Sequence, residues 1–319
     1  MSLIAFFKQW SLPMSLLIGV IGYLLFAYVP LLQPIGEVVG PLLESLIPVV
    51  LFVLLYVTFC KIQIMEMRPR AWHFWLQTIR VSLSAFFVWL ITLTSDPNLR
   101  LVLEGMFVCV ICPTAAAAPV VTEKLGGSIG SLTVYAIIAN VVTSIIIPLF
   151  FPMVEKSSDI SFATASLMVL RNVTTVLVIP LVLALVSRRV IPRVTDRIKE
   201  FRNLGFYLWC FNLTIITGIT MRNILHASLS GTVLAILLIL PLFIALLQFT
   251  IGKLVGRYYG DSISAGQALG QKNTVVGIWL TLTFLNPLAA VAPGAYVLWQ
   301  NMVNALQLWY KQKYGRLKW

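Results

Sequence analysis

Long apolar segments constrain this chain more than any other feature. They run for about 18 to 25 residues with scarcely a charge, and a helix of that length crosses the hydrocarbon of a bilayer. Charged residues make up only 11% of the chain, against roughly a quarter in soluble domains. The pattern excludes an ordinary soluble domain and predicts an all-α, polytopic membrane protein.

Ten such segments are predicted to cross the membrane, and the loops between them are too short to form a soluble domain. The predicted spans are 13–32, 41–60, 72–93, 98–122, 129–153, 161–187, 203–221, 228–252, 261–285 and 288–310. The first is too long for the apolar part of a signal peptide, and no cleavage pattern follows it. We therefore expect it to remain as a membrane helix.

The basic residues are unequally distributed between the two sets of loops. If the N-terminus is cytoplasmic, 17 of the 23 Lys and Arg residues fall in cytoplasmic segments and three in the opposite loops. Because cytoplasmic loops are enriched in Lys and Arg, we expect both termini in the cytoplasm and the protein in the inner (plasma) membrane. This topology also accounts for the net charge of +12, so no nucleic-acid partner is expected.

Two predicted spans are interrupted near their middle. In the fourth, Pro113 and Thr114 precede a run of alanines, and a proline inside a helix removes a backbone hydrogen bond and clashes with the preceding turn. A simple proline kink packed by small residues is the alternative explanation. The ninth span contains the polar residues Gln267, Gln271, Lys272, Asn273 and Thr274. A lysine at such a depth costs roughly 2.5 to 3.5 kcal/mol, which favours a functional role.

The two interruptions occupy corresponding positions in the two halves of the chain. Asn140 and Asn301 follow them at similar distances, which indicates a weak internal repeat. Five spans per half is an odd number, so residues 1–155 and 156–319 are predicted to be inverted repeats. Interrupted helices at matching places indicate the binding site of a secondary transporter. We expect the second half of the fourth span to begin near Ala115, with free N–H groups facing the gap.

Three segments together resemble the bile acid:sodium symporter family, over essentially all ten spans. They are Gly105 followed by Cys112-Pro113, the segment Gln267 to Asn273, and Trp299-Gln300-Asn301. The resemblance implies a panel domain of spans 1, 2, 6 and 7 and a core domain of spans 3–5 and 8–10. The interrupted spans four and nine would cross in the core, near the membrane midplane. It also implies alternating-access transport of an organic anion such as a carboxylate or a bile-acid-like compound.

The resemblance also implies a substrate site at the interruptions. The backbone N–H groups of Ala116, Ala117 and Ala118 would hold the acid together with polar side chains of spans nine and ten. The whole expected set is Pro113, Thr114, Ala116, Ala117, Ala118, Lys272, Asn273, Gln300 and Asn301. Helix N-termini with a lysine form a suitable anion site.

The sodium-binding residues of the family are replaced in this chain. Gln267 stands in place of a glutamate, and Lys272 in place of an asparagine. Ala118-Pro119 replaces a Ser-Asn pair, and Arg80 lies near the position of a glutamine. We therefore expect no sodium dependence, no metal and no cofactor, with Lys272 acting in place of a sodium ion. The residues expected to govern coupling are Gln267, Gln271, Lys272, Arg80 and Glu104.

Other roles for the charged residues stay open. Arg80, Arg171 and Glu104 lie inside predicted spans, where Glu104 could pair with one of the arginines or carry a proton. Lys272 could couple transport to protons by losing its own in the empty carrier, or it could be a structural partner of Glu104. The expected partners are thus a small organic anion, the lipid bilayer and, as a further hypothesis, protons.

Three other functions were weighed against transport of an organic anion. An arsenite exporter would use Cys109 and Cys112, but the acidic residue that such permeases have in span nine is missing. A membrane sensor would bind the same ligand without moving it. An intramembrane enzyme is not expected, since the chain has no Ser/His, paired-Asp or H-E-x-x-H pattern.

Overall fold

The computed structural model describes residues 3–62, 64–154, 167, 171, 174–201 and 203–317. Within these ranges the chain forms helices and connecting turns, and no β-strand. The α-helices are α1 Leu3–Tyr28, α2 Gln33–Phe59, α3 Ala71–Leu93, α4 Pro97–Ile111, α5 Ala118–Leu125, α6 Ile129–Val154, α7 Ile179–Val190, α8 Pro192–Glu200, α9 Leu204–Leu225, α10 Gly231–Tyr258, α11 Ser262–Gly270, α12 Thr274–Phe284 and α13 Val291–Tyr314. Short 3₁₀ turns at Ile64–Glu66 and Pro287–Ala290 and a π-helical turn at Thr174–Val178 complete the described elements.

Six of these helices are long and apolar enough to cross a membrane, namely α1, α2, α3, α6, α9 and α10. Spans four and nine are missing from this group because each is divided into two short helices, α4 with α5 and α11 with α12. Helix α13 is also missing although it has 24 residues, because polar side chains such as Gln300, Asn304 and Gln307 interrupt its apolar sequence. The prediction of an all-helical, multi-pass membrane protein is confirmed. Span six, 161–187, is described only at residues 167, 171 and 174–187, which comprise the π-helical turn and the first part of α7.

The described helices pack in two groups. In the first group α9 packs between α1 and α2, and α2 also contacts α7. In the second group α10 packs along α11 and α13, while α3 contacts α4 and α6. The groups meet where α13 contacts α9 and α1, and where α5 contacts α9.

Small residues permit the close packing of the second group. Helix α4 approaches α13 at Gly105, where an added Cβ would lie 2.7 Å from the Cβ of Ala292. A larger side chain at Gly105 would therefore push α4 away from α13. Small residues allow helix backbones to approach closely in membrane proteins, where packing rather than hydrophobic burial holds helices together.

Candidate functional site

The two interrupted helices cross at their breaks. The segment 112–117 separates α4 from α5, and the segment 271–273 separates α11 from α12. The segments run antiparallel and form an isolated β-bridge between Thr114 and Lys272. The positions that sequence reasoning singled out as breaks are therefore in direct contact.

Backbone hydrogen bonds fix this crossing. The N–H group of Ala115 donates to the carbonyl of Gln271 at 3.0 Å, and that of Asn273 donates to the carbonyl of Pro113 at 2.9 Å. Backbone groups away from water need such partners, because an unpaired group in hydrocarbon costs several kcal/mol. The two breaks therefore satisfy each other's backbone groups.

The second half of the interrupted fourth span begins later than expected. We predicted a start near Ala115, whereas α5 begins at Ala118. The N–H group of Ala115 is used in the crossing, so the helix cannot begin there. Pro119 occupies one of the first two helical positions, where its missing N–H group carries no penalty.

Two buried cations hold the last carbonyls of α4. A helix end leaves its last four carbonyls without intrahelical partners. The ammonium of Lys272 donates to the carbonyl of Val110 at 3.0 Å, and the guanidinium of Arg80 donates to the next carbonyl, that of Ile111, at 2.7 Å. Positive charge at a helix C-terminus also interacts favourably with the helix dipole.

The other carbonyls at the two breaks accept from neutral donors. The bonds run from Gln248 Nε2 to Cys109 O (3.2 Å), from Tyr296 Oη to Gly270 O (2.8 Å) and from Thr114 Oγ1 to Ala268 O (2.7 Å). Gln248 and Tyr296 were not among the expected site residues. Nothing in their local sequence shows that α10 and α13 bring them to the crossing.

Both cations are buried without an acidic partner. Lys272 and Arg80 are each 1% exposed. Within the described ranges neither has a carboxylate within salt-bridge distance. Arg80 bonds instead to the neutral oxygens of Gln77 (3.0 Å), Thr143 (2.7 Å), Ala139 (3.0 Å) and Ile111. Buried charges are normally paired, so the described residues lack the carboxylate that usually accompanies such basic side chains.

Glu104 has a different partner from those considered in the sequence. It pairs with Arg100 one turn earlier on α4, at 3.1 Å, and not with Arg80 or Arg171. The ion pair between Glu104 and Lys272 is not formed either, since the lysine points to the end of α4. Glu104 therefore lies outside the crossing in this structure, and its role in coupling stays a prediction.

The residues just before α5 supply two of the three expected N–H donors. The N–H groups of Ala116 and Ala117 have no hydrogen-bond partner among the described residues. The N–H group of Ala118, in contrast, donates to the carbonyl of Ala115 at 3.0 Å. Ala118 is therefore occupied by the turn that starts the helix.

The expected polar side chains divide between the crossing and their own helices. Gln300 brackets the backbone of Lys272, accepting its N–H at 2.8 Å and donating to its carbonyl at 3.3 Å. Asn301 donates to Val297 of its own helix at 2.7 Å, and Asn273 caps α12. Of these three side chains, only that of Gln300 therefore contacts the break in span nine from another helix.

Gln267 is part of a buried amide cluster. Its Nε2 donates to Asn304 Oδ1 and to Gln307 Oε1, both at 3.1 Å. Gln300, Asn304 and Gln307 recur every three or four residues and so share one face of α13. That spacing was the available sequence signal for Asn304 and Gln307, which the expected site omitted.

The oxygen atoms at the end of α4 are the groups that a cation at this site would have to use. A hard cation needs several oxygen ligands, commonly including carboxylates. Here the carbonyls at the end of α4 already accept hydrogen bonds, two of them from cations. Among the described residues no three His, Cys, Asp or Glu side chains converge on a point that could hold a metal.

A comparison of the whole sequence with known families identifies one match. The sequence model of the SBF-like CPA transporter family matches residues 17–306, which include both interrupted spans and most of α13. No curated protein matches the chain.

Proposed function

Since the chain belongs to the SBF-like CPA transporter family, we propose that it is a secondary transporter of an organic anion in which tethered cations act in place of sodium ions. The family membership confirms the resemblance to bile acid:sodium symporters. The observation that carries the proposal is the position of Lys272 and Arg80 on consecutive carbonyls of α4.

The proposed architecture has ten membrane spans in two inverted repeats, residues 1–155 and 156–319. Both termini are cytoplasmic in this proposal. The group of α1, α2, α7 and α9 corresponds to the panel, and the group built around α3, α4, α6, α10 and α13 to the core. The antiparallel crossing of the two breaks supports this arrangement. Alternating access is then a movement of one group against the other.

Electrostatic repulsion supports independence from sodium. Two unit charges of equal sign 4 Å apart repel by about 4 kcal/mol at an effective dielectric constant of 20. A sodium ion at the end of α4 would meet the charges of Lys272 and Arg80 without a carboxylate to offset them. The neutral Gln267 side chain provides no such offset.

The same charges support an anionic substrate. The N–H groups of Ala116 and Ala117, which have no partner among the described residues, lie at the positive end of the α5 dipole. The β-bridge between Thr114 and Lys272 connects this end to the buried cations. Ala116 also belongs to the apolar cluster between the two helix groups, with Phe59 and Trp209. An amphipathic carboxylate fits a site that is cationic on one side and apolar on the other.

A thermal-shift screen of the purified protein against organic acids tests this proposal. We expect at least one acid to raise the melting temperature equally in sodium and in potassium chloride. The neutral amide of that acid serves as control and should have no effect. Stabilisation that requires sodium, or that is equal for acid and amide, would contradict the proposal. A pH-sensitive dye inside vesicles tests the further hypothesis that protons move with the anion.

A further inference from the structure

A cavity of about 970 Å³ lies away from the crossing. It is a groove between residues 10–16 of α1, the end of α5, the start of α9 and the last turns of α13. It lies where the two helix groups meet. Neither Lys272 nor any residue of segment 112–117 lines it, so it is distinct from the candidate substrate site.

The groove is polar at one end and apolar along the rest. Lys124 in the last turn of α5, Asn203 at the start of α9 and Lys313 near the end of α13 lie at the polar end. From Lys313 the wall continues inward along α13 through Leu306 to Met302, which is about 16 Å for eleven residues of helix. Such a groove suits an elongated molecule with one charged end.

The charge at the polar end is positive and not neutralised. Lys124 bonds to the neutral Asn203 side chain, and Lys313 lies 5.0 Å from the ring centroid of Trp309. Neither lysine forms an ion pair with a described residue. Lys311 adds a third charge by donating to the carbonyl of Lys124 at 2.8 Å.

Neighbouring groups at the polar end are mostly basic. The adjacent carboxylate, Glu123, is held by Lys61 at 3.2 Å. Burial lowers the pKa of Lys124, and the charges of Lys61 and Lys311 lower it further, although Glu123 opposes them. Helix α9 also begins here and adds the positive end of its dipole. An anionic group at this place would relieve the mutual repulsion of the lysines.

The apolar part of the groove is open sideways. Leu306 is 58% exposed and Met302 is 46% exposed, and both lie on a helix of a membrane protein. An acyl chain can therefore enter from the bilayer without passing through water. A water-soluble anion would have no such route from the bilayer, so the sideways opening favours a lipid as the ligand.

We propose that the groove binds one anionic phospholipid, with its phosphate between Lys124 and Lys313 and an acyl chain along α13. Basic pockets between membrane helices are known to bind anionic lipid headgroups. The bound lipid contacts α1 and α9 on one side and α5 and α13 on the other, so it joins the two helix groups. The proposal does not depend on which substrate the crossing binds.

Native mass spectrometry of the protein released from nanodiscs tests this site. The nanodiscs contain equal amounts of phosphatidylglycerol and phosphatidylcholine. We expect one phosphatidylglycerol molecule to stay bound, with a preference over phosphatidylcholine of roughly thirtyfold for two lysines near a lipid phosphate. The variant Lys124→Gln/Lys313→Gln should lose this preference.

Two further variants distinguish binding of the headgroup from binding of the acyl chain and from a general effect of protein charge. Arg193→Gln/Lys199→Gln removes the same charge from the exposed helix α8 and should keep the preference. Leu306→Ser should weaken retention of both lipids without changing the preference. If the double lysine variant does not fold, Lys313→Gln alone should lower the preference roughly fivefold.

Equal retention of the two lipids by the parent protein would overturn the proposal. It would also be overturned if the lysine variant and the α8 variant behaved alike. Displacement of phosphatidylglycerol by cholate, together with cholate uptake into vesicles, would assign the groove to the substrate route instead. The lipid-retention results do not depend on which anion the crossing binds.

Discussion

Replacement of Lys272 by glutamine is the most direct test of the role given to the crossing. The ammonium of Lys272 donates to Val110 at 3.0 Å and is 1% exposed, without an acidic partner in the described chain. A hydrogen bond to a charged group contributes about 1.5–3 kcal/mol, which corresponds to roughly a tenfold to 150-fold change in affinity. We therefore expect Lys272→Gln to weaken binding of an organic anion within that range.

Stability should change much less than binding in this variant. The loss of the bond to Val110 leaves one carbonyl unpaired, which costs about 1–3 kcal/mol. Removal of a buried charge offsets much of this cost. The variant should consequently remain folded and elute as a single species, so that a loss of affinity can be assigned to the site.

Isothermal titration calorimetry with an acid from the thermal-shift screen measures the effect. Lys253→Gln is the matched control, because Lys253 is also a buried lysine but lies on α10 outside the crossing. It should bind the acid like the parent protein. If Lys272→Gln binds as tightly as the control, Lys272 is not the counter-charge, and the start of α5 with Gln300 must hold the anion alone.

Four further predictions follow from the same site. Substituting potassium for sodium should leave anion affinity within about twofold, and a tenfold loss in calorimetry would contradict the absence of a sodium site. Arg80→Gln should leave the carbonyl of Ile111 without its donor and lower the melting temperature by roughly 2–4 °C, whereas Arg189→Gln at the exposed end of α7 should not. The double variant Gln267→Glu/Lys272→Asn should make anion binding increase with sodium, and no response in calorimetry would show that Arg80 still blocks the cation. Cysteine labelling at residues 154–159 and at Lys313 should report opposite sides of the membrane, and labelling from one side would overturn the ten-span topology.

Features that depend on local sequence could be predicted well. The positions of both interruptions followed from Pro113 and from the polar cluster around Lys272, because each breaks an otherwise apolar helix. The pair of Arg100 and Glu104 was also readable, since residues four apart on a helix are neighbours.

Features that depend on tertiary packing could not be predicted in the same way. The bond from Arg80 to Ile111 requires α3 to lie beside the end of α4, and no sequence spacing indicates that distance. The side chain of Asn301 bonds to Val297 of its own helix in this structure, which its position beside Gln300 does not indicate, and its ligand role stays a prediction. The start of α5 was misplaced because Ala115 is held by a partner from another segment of the chain.

The tethered cations have a consequence for how such a transporter would be driven. A sodium ion can leave its site, so its gradient can do work when it crosses the membrane with the substrate. Lys272 and Arg80 are part of the chain and remain at the carbonyls of α4. They therefore stabilise the crossing, but they cannot couple transport to a sodium gradient. In the proposed function, net accumulation of the anion must then come from its own gradient, from the membrane potential or from protons. A membrane potential acts on the net charge that moves, at about 2.3 kcal/mol per charge for 100 mV. Anion uptake into vesicles should therefore respond to a potassium-diffusion potential when neither sodium nor a pH gradient is present.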